Sequence, residues 1–262
     1  MISSLMAQMW EDGLKERMKM PMIAERESLQ QWISQSDNIV FFGGAGVSTE
    51  SGIPDFRSVD GLYQQQFKHP PETMLSHSFY QSHTEEFFDF YRKKLLALWA
   101  KPNGAHLKLA ELERAGKLKA VITQNIDGLH QMAGSQEVLE LHGSVNRNYC
   151  EACGAAYGVE AVVQSEGVPR CTCGGVIKPD VVLYEESLDN ELMEKAVDYI
   201  RGADMLIIGG TSLVVYPAAG LIHYYQGHKL TLINKGATSM DRRADLVVPG
   251  PIGEILGAVQ VK

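Results

Sequence analysis

Short apolar segments alternate with amphipathic segments along most of this chain, and this alternation limits the folds open to it. Apolar strands separated by helices are typical of a parallel sheet covered by helices on both faces. The sequence therefore predicts an α/β fold built on a Rossmann-like parallel sheet. The predicted strands are 39–43, 119–123, 137–141, 205–210, 230–234 and 245–248, and the predicted helices are 23–35, 83–100, 105–115, 190–201 and 217–226.

Individual residues predict where some of these helices begin and end. Ser82 followed by Glu85 has the pattern of a capping box at the start of helix 83–100. Gly116 and Gly202 are placed as C-cap glycines for two other helices.

Two segments interrupt the alternation. Residues 58–103 are expected to form a helical and loop insertion, because the first part is rich in Gln, His, Ser and Pro. Residues 146–180 contain all four cysteines and few apolar runs, which predicts a small inserted module. Residues 1–21 are treated as an N-terminal extension of unknown role, so the main domain is expected over 22–262.

The cysteines are spaced as Cys150-x-x-Cys153 and Cys171-x-Cys173, with 17 residues between the pairs. Four thiolates in this arrangement favour a closed structural zinc site, although free thiols or a redox pair have the same sequence. Residues 1–21 have no apolar core of a secretory signal, so a reducing cytoplasm is expected. Clustered cysteines in that compartment favour a metal over disulfides.

The charge and hydropathy of the chain limit the classes of partner that it is expected to bind. The formal net charge is −8, whereas a nucleic-acid footprint would be basic. No segment approaches the roughly 20 apolar residues of a membrane span. We therefore expect a cytoplasmic monomer or weak oligomer that binds neither nucleic acid nor membrane.

A glycine-rich turn, residues 43–49, follows the first predicted strand. Its backbone N–H groups could approach a pyrophosphate, although such turns also simply end strands. The usual dinucleotide fingerprint is incomplete, because Thr49 stands at the third glycine position. An acidic residue at a strand end about 20 residues later is also missing. The sequence thus disfavours an ordinary NAD dehydrogenase.

Polar residues follow two further predicted strands. Gln124-Asn125-Ile126-Asp127 comes after strand 119–123, and His142 comes after strand 137–141. Ligands of open α/β sheets bind at the carboxyl ends of the strands, so these residues are expected to share a crevice with the glycine-rich turn. The near-neutral pKa of histidine makes His142 a candidate general base, although it could also be a surface or core histidine.

The order of these motifs resembles the sirtuin family. The similarity begins with Gly-Ala-Gly-x-Ser and Gly-Ile-Pro-Asp-Phe-Arg and spans roughly residues 40–235. It continues through residues 123–130, 141–143, the four cysteines, 210–219 and 233–234.

This resemblance implies an NAD-dependent protein-lysine deacylase with acyl-lysine proteins as partners. NAD is its co-substrate, and nicotinamide, O-acyl-ADP-ribose and free lysine are its products. His142 would act as general base on a ribose hydroxyl, with Asn125 and Asp127 as further catalytic residues. The implied NAD contacts are Ala45, Thr49, Phe56, Arg57, Gln124, Asn125, Ile126, Asp127, His142, Thr211, Ser212 and Asn234. Thr211 and Ser212 could equally cap the next helix.

The resemblance also places the acyl-lysine groove along Val182, Leu183 and Tyr184, where a substrate would add as a strand. Most relatives have a glycine where this chain has Glu185, which suggests a preference for substrates with basic flanking residues.

The acyl group is predicted from a different pair of residues. Tyr91 and Lys94 have the spacing of the Tyr-x-x-Arg pair of desuccinylating sirtuins. Lysine lacks the bidentate fork of arginine, so acetyl or other uncharged groups are expected.

Two alternatives remain open at this stage. A mono-ADP-ribosyltransferase would use the same NAD site. A non-catalytic NAD-sensing or zinc-ribbon protein would have little reason to retain Asn125, Asp127 and His142 together.

Overall fold

A six-stranded parallel sheet lies at the centre of the computed structural model, which describes residues 23–56, 61, 63 and 67–261. The predicted extension 1–21 lies outside these residues. The strands are β1 Ile39–Gly43, β2 Leu118–Thr123, β3 Val138–Glu140, β4 Gly143–Cys150, β5 Ala156–Tyr157, β6 Ile177–Val181, β7 Met205–Gly209, β8 Leu230–Asn234 and β9 Leu246–Pro249.

Helices connect most of these strands. They are α1 (residues 23–35), α2 Pro71–Met74, α3 His77–Ser82, α4 Thr84–Lys94, α5 Gly104–Arg114, α6 Leu129–Ala133, α7 Glu160–Val163, α8 Asn190–Gly202 and α9 Ile252–Gly257. Shorter 3₁₀ segments cover Ala45–Val47, Thr49–Ser51 and Ala218–Tyr224. In the described part of the chain, no helix has the length and apolar character needed to cross a bilayer.

The strand order of the large sheet is β3-β2-β1-β7-β8-β9. The chain moves outward from β1 through β2 and β3, and later returns beside β1 to move outward in the other direction. The chain therefore leaves β1 toward one half of the sheet and leaves the neighbouring β7 toward the other half. A divergence of this kind opens a crevice at the carboxyl edge of a sheet.

Both faces of the sheet are buried, because alternate residues of each strand point to opposite sides. In β1, Val40 and Phe42 pack with α8 and the Ala218–Tyr224 segment. Ile39 and Phe41 pack on the other face with α1, α5 and α9. This two-sided burial explains why the strands are continuously apolar.

The six predicted strands of the large sheet are confirmed to within one residue at each end. For helix 83–100, the start is confirmed to within one residue, but the predicted capping box and the predicted end are wrong. The N-cap of α4 is His83 and no side chain caps it, while the Ser82 hydroxyl donates to the Ser78 carbonyl of α3 instead. The helix ends at Lys94, although no proline lies between Lys94 and Pro102 to indicate a stop.

Two further helix ends also differ from expectation. Gly202 is the last residue of α8, and Ala203 is the C-cap. Segment 217–226 is a 3₁₀ helix over Ala218–Tyr224 rather than an α-helix. Gly116 does follow α5 with a φ of 75°, a conformation that glycine adopts readily.

A smaller antiparallel sheet, in the order β5-β4-β6, spans Gly143 to Val181 and includes the cysteines. Helices α2 to α4 pack against it. Arg92 of α4 donates hydrogen bonds to the Val162 carbonyl at 2.8 Å and the Ser165 hydroxyl at 2.7 Å. The guanidinium group therefore joins the helical insertion to the cysteine-containing module.

Two histidines are completely enclosed between α5 and α6. His106 and His130 are 0% and 1% exposed, and their ring centroids are 4.7 Å apart. Nδ1 of His106 accepts the backbone N–H of Asn103. Among the described residues, the other three ring nitrogens of the pair have no hydrogen-bond partner. Burial lowers the pKa of His106 to about 4 and the pKa of His130 well below its ordinary value.

This pair predicts an acid-sensitive stability. Both histidines are neutral in the folded protein, so the stability is fully present above about pH 6.5 and falls as the pH drops toward about 4. Each histidine contributes a slope of at most about 1.4 kcal/mol per pH unit. Urea unfolding at several pH values between these limits should give a shallower dependence for His130→Leu than for the wild type. Equal slopes would contradict the assignment.

Candidate active site

The carboxyl ends of β1, β2, β3 and β7 bring most of the expected site residues to one edge of the large sheet. The loop after β1 contains the glycines, and the loop after β2 contains Gln124–Asp127. His142 follows β3, and Thr211 follows β7. Hydrogen bonds between these loops connect them into one site.

Glycine in the loop after β1 is required by contact with the loop after β7. The Gly46 N–H donates to the Gly210 carbonyl at 2.7 Å. A Cβ atom on Gly46 would lie only 2.7 Å from that same oxygen. Gly210 has a φ of 58°, and a Cβ atom there would lie 2.3 Å from the Val47 nitrogen. The loop geometry therefore needs these glycines whether or not a phosphate is bound.

Ser48 joins the first loop to the amide–acid cluster. Its hydroxyl donates to Asp127 Oδ2 at 2.6 Å and accepts from Asn125 Nδ2 at 3.0 Å. Asp127 Oδ1 accepts the Leu129 N–H at 2.9 Å. Ser48 is 1% exposed. It was not among the predicted contact residues, and the only indication in the sequence is its place in the Gly-Ala-Gly-x-Ser motif.

His142 is held by the backbone of the neighbouring loop. Its Nδ1 lies 3.0 Å from the Gln124 carbonyl oxygen, which can only accept a hydrogen bond. The neutral ring therefore carries its proton on Nδ1 and its lone pair on Nε2. Burial lowers the pKa of His142 below its ordinary value, an effect that the Gln124 hydrogen bond partly opposes. The imidazole is thus a neutral base at neutral pH.

Thr211 connects the loop after β7 to the same network. Its Oγ1 accepts from Gln124 Nε2 and from the Leu213 N–H, both at 3.2 Å. The next helical segment has Pro217 as its N-cap, so Thr211 and Ser212 do not cap it. Ser212 is exposed beside Thr211.

The other expected NAD contacts lie around these loops. Ala45 and Thr49 lie in the two 3₁₀ turns after β1, and Asn234 ends β8. Phe56 makes an edge-to-face contact with Tyr63 at 5.5 Å, and the Ile126 carbonyl accepts the Val145 N–H. Arg57 lies outside the described residues.

The donors and acceptors available at this edge fit NAD. Thr49 and Thr211 offer hydroxyls, while Gln124 and Asn125 offer amides, and both types suit sugar hydroxyls and phosphate oxygens. The glycine contact at Gly46 and Gly210 keeps this edge free of bulky side chains.

The segment expected to bind substrate begins next to His142, because the Val182 N–H donates to the His142 carbonyl at 3.0 Å. The Tyr184 N–H donates to the Leu75 carbonyl, and its own carbonyl accepts the His77 N–H. The Leu183 N–H donates to the Glu186 carboxylate at 2.8 Å. These three backbone N–H groups all have partners within the chain.

Glu185 adopts a φ of 77°, which is costly for a residue other than glycine. Its carboxylate accepts the Ser78 N–H at 2.9 Å and the Ser78 hydroxyl at 3.0 Å. Two charge-assisted hydrogen bonds to α3 therefore hold the turn in this conformation.

Tyr91 and Lys94 do not form a pair of exposed polar groups. Tyr91 is 0% exposed, stacks on Phe87 and has no hydrogen-bond partner for its hydroxyl among the described residues. The Lys94 ammonium lies 5.2 Å from the centre of the Phe67 ring.

The four cysteines converge at one end of the small sheet. Cys150 Sγ lies 3.4 Å from Cys173 Sγ, Cys153 Sγ lies 3.7 Å from Cys171 Sγ, and all four sulfurs are within 4.8 Å of one another. A tetrahedral zinc ion with Zn–S bonds of about 2.3 Å requires sulfurs about 3.8 Å apart. The one-residue spacer between Cys171 and Cys173 thus allows a four-thiolate zinc site. The Tyr157 hydroxyl donates to Cys171 Sγ at 3.0 Å and orients that ligand.

Comparisons with a family model, with similar sequences and with similar solved structures all identify the same family. The Sir2 family model matches residues 44–217. An NAD-dependent protein deacetylase of Clostridium acetobutylicum is 59% identical over 88% of this chain and 96% of its own length. The protein of the same name from Cutibacterium acnes is 56% identical over 89% of this chain and 97% of its own length.

Solved structures of similar proteins contain ligands. A Sir2 histidine-to-alanine variant with deacetylated p53 peptide and 3′-O-acetyl-ADP-ribose superposes with a TM-score of 0.81 at 38% identity, covering 88% of this chain and 95% of that chain. A Sir2 protein bound to a propionylated peptide superposes with a TM-score of 0.77 at 38% identity, covering 88% of this chain and 94% of that chain.

The sulfur geometry predicts one zinc ion per chain. Cys171→Ser should lower the zinc content measured by atomic emission and make the segment between β4 and β6 sensitive to protease, because the metal supplies folding energy for the module. Tyr157→Phe keeps all four thiolates and should retain the ion. Folded wild-type protein without zinc would disprove the site.

Proposed function

The chain belongs to the Sir2 family, in which it is an NAD-dependent protein-lysine deacetylase, and we propose that His142, Asn125 and Asp127 carry out its chemistry. The products are nicotinamide, O-acetyl-ADP-ribose and the deacetylated lysine. The observation that supports the residue assignment most strongly is the His142–Gln124 hydrogen bond, which leaves a neutral base at the crevice.

His142 is the general base. Its Nδ1–H is committed to the Gln124 carbonyl, so Nε2 accepts the proton of a ribose hydroxyl. The ring needs no prior deprotonation at neutral pH, because burial lowers its pKa. The same backbone hydrogen bond stabilises the imidazolium once it has formed, since a carbonyl oxygen favours the charged ring.

Asn125 and Asp127 orient the ribose. When bound, NAD supplies a ribose carbon that loses nicotinamide and accepts the acetyl oxygen. Asn125 uses its Nδ2 to hold Ser48, which leaves its carbonyl oxygen to accept from a sugar hydroxyl. Asp127 is fixed by Ser48 and by the Leu129 N–H, so its carboxylate is preorganised beside the developing positive charge.

The remaining NAD contacts are proposed from the resemblance of their motifs to those of the family. Backbone N–H groups and hydroxyls at Ala45, Thr49, Thr211 and Ser212 bind the phosphates. Asn234 binds the adenosine ribose, Gln124 and Ile126 line the nicotinamide pocket, and Phe56 and Arg57 are further NAD contacts.

Acyl-lysine proteins bind along Val182, Leu183 and Tyr184. Because the N–H groups of this segment already have partners, the substrate backbone would donate its own N–H groups to free carbonyl lone pairs here. Glu185 places an exposed carboxylate at this edge and favours substrates with basic residues near the acetyl-lysine.

We extend the proposal to the organisation of the whole chain. Residues 22–262 form the deacetylase domain, with the zinc module near 146–180 and the helical insertion near 58–103. Residues 1–21 are an extension to it. The enzyme acts in the cytoplasm as a monomer or weak oligomer, without nucleic acid or membrane partners.

His142→Ala should reduce NAD-dependent deacetylation of an acetyl-lysine peptide by about 10²–10⁴-fold, the usual contribution of a general base. Nicotinamide and deacetylated peptide are measured together, and mass spectrometry separates O-acetyl-ADP-ribose from an ADP-ribosylated protein. His228→Ala changes an exposed histidine away from the crevice and serves as the control. Undiminished turnover in His142→Ala would refute the assignment.

The pH dependence of kcat/KM of the wild-type enzyme is a second test of the His142 assignment. The base must be neutral, so kcat/KM should fall as the pH drops through the lowered pKa of His142, which places the acid limb below about 6.5. An acid limb above that value would disagree with a buried neutral imidazole.

The enzyme should deacylate acetyl-lysine at least about tenfold faster than succinyl-lysine in the same peptide. The reason is that the buried Tyr91 and the Lys94 ammonium beside Phe67 do not provide the paired donors that would bind the carboxylate of a succinyl group. The measurement is kcat/KM for the two peptides. Lys94→Arg should leave their ratio unchanged within about twofold if Lys94 is remote from the acyl group. Comparable rates on both peptides would contradict this preference.

A further inference from the structure

The outer half of the glycine loop, residues 47–52, is anchored from the side opposite the crevice. Glu50 accepts the backbone N–H groups of Gly253 and Glu254 at the start of α9. The Trp99 ring lies against Gly52, where an added Cβ atom would be 2.9 Å from the indole. Asn103, the N-cap of α5, contacts this half of the loop with its side-chain amide.

Every polar group of the Asn103 side chain is used. Its Oδ1 accepts the Ala105 N–H at 2.9 Å, which caps α5. Its Nδ2 donates to the Val47 carbonyl at 2.7 Å and to the Ser51 hydroxyl at 3.0 Å. Capping requires only an acceptor, and serine or aspartate would cap equally well. The two amide donors are therefore explained by the loop and not by the helix.

The bond to the Val47 carbonyl acts directly on Ser48. The carbonyl of Val47 and the N–H of Ser48 belong to one rigid peptide plane. Asn103 fixes that plane on one side, and the Ser48 hydroxyl bonds to Asn125 and Asp127 on the other. The Ser48 N–H also donates to the Ala45 carbonyl at 3.1 Å, so loss of the Nδ2 donors would leave the plane held from that end alone and would loosen the alignment of the Ser48 hydroxyl.

We infer that Asn103 is a positioning residue for NAD binding, which it supports through the Val47–Ser48 peptide without touching the dinucleotide. This inference rests on the proposed NAD site. It predicts that a substitution can remove the hydrogen bonds from Asn103 Nδ2 to the loop while it keeps the cap of α5. The effect on the loop can then be measured separately from the effect on helix stability.

Asn103→Asp is the matched test, because it keeps the acceptor for Ala105 and replaces only the donating nitrogen. We expect the Kd for NAD measured by calorimetry, and the KM for NAD, to rise about tenfold. The KM for the acetylated peptide and the thermal midpoint should stay close to wild type. Asn103→Ser removes the same donors without adding a charge and should give a similar increase, which excludes repulsion of the phosphates as the cause.

A double-mutant cycle tests whether the effect passes through Ser48. In a Ser48→Ala background, Asn103→Asp should weaken NAD binding by clearly less than tenfold, because the hydroxyl that it aligns is already absent. Unchanged NAD affinity in both single Asn103 variants would overturn the inference, as would a loss of thermal stability with no change in Kd. A wild-type protein that binds no NAD would instead overturn the proposed function itself.

Discussion

Two loops meet above the centre of the large sheet only because neither has a side chain at the point of contact. The Gly46 N–H reaches the Gly210 carbonyl at 2.7 Å, and a Cβ atom on either residue would collide with the opposite backbone. This contact brings the loops after β1 and β7 together beside the amide–acid cluster that follows β2. The Ser48–Asp127 and Gln124–Thr211 hydrogen bonds both depend on that closeness.

The charges around the crevice are arranged so that the base stays neutral. His142 bonds to a backbone carbonyl and not to a carboxylate, so its pKa is lowered by burial and not raised by an ion pair. The nearby Asp127 carboxylate is instead occupied by neutral donors, Ser48 and the Leu129 N–H. Neither side chain is therefore paired with an opposite charge in the described part of the chain.

The sequence predicted those elements in which each position must have a particular residue type. It failed where contacts between distant segments determine the structure. The six strands of the large sheet were predictable because burial on both faces demands apolar residues at successive positions. The end of α4 was not, because residues 95–100 contain no breaker, yet they leave the helix and bring Trp99 into contact with Gly52. The long-range contacts of Ser48 and Asn103 were not predictable for a similar reason. A serine in a turn and an asparagine before a helix have ordinary local functions, and only the fold reveals which distant groups they also hold.

The zinc module has a physical connection to the chemistry although its metal site lies at the far end of the small sheet. Strand β4 begins at Gly143, directly after His142, and β6 ends at Val181, directly before the substrate segment. Gly143 pairs with Val181, and a Cβ atom on Gly143 would overlap the Asp180 carbonyl, so the pairing of the two strands beside His142 requires glycine there. At the other end, Cys150 pairs with Ile177 and belongs to the thiolate cluster. A zinc ion bound by the thiolates would therefore join the same two strands whose opposite ends adjoin His142 and the segment proposed to bind acyl-lysine. In the proposed function, a structural metal thus supports the geometry of a reaction in which it takes no part.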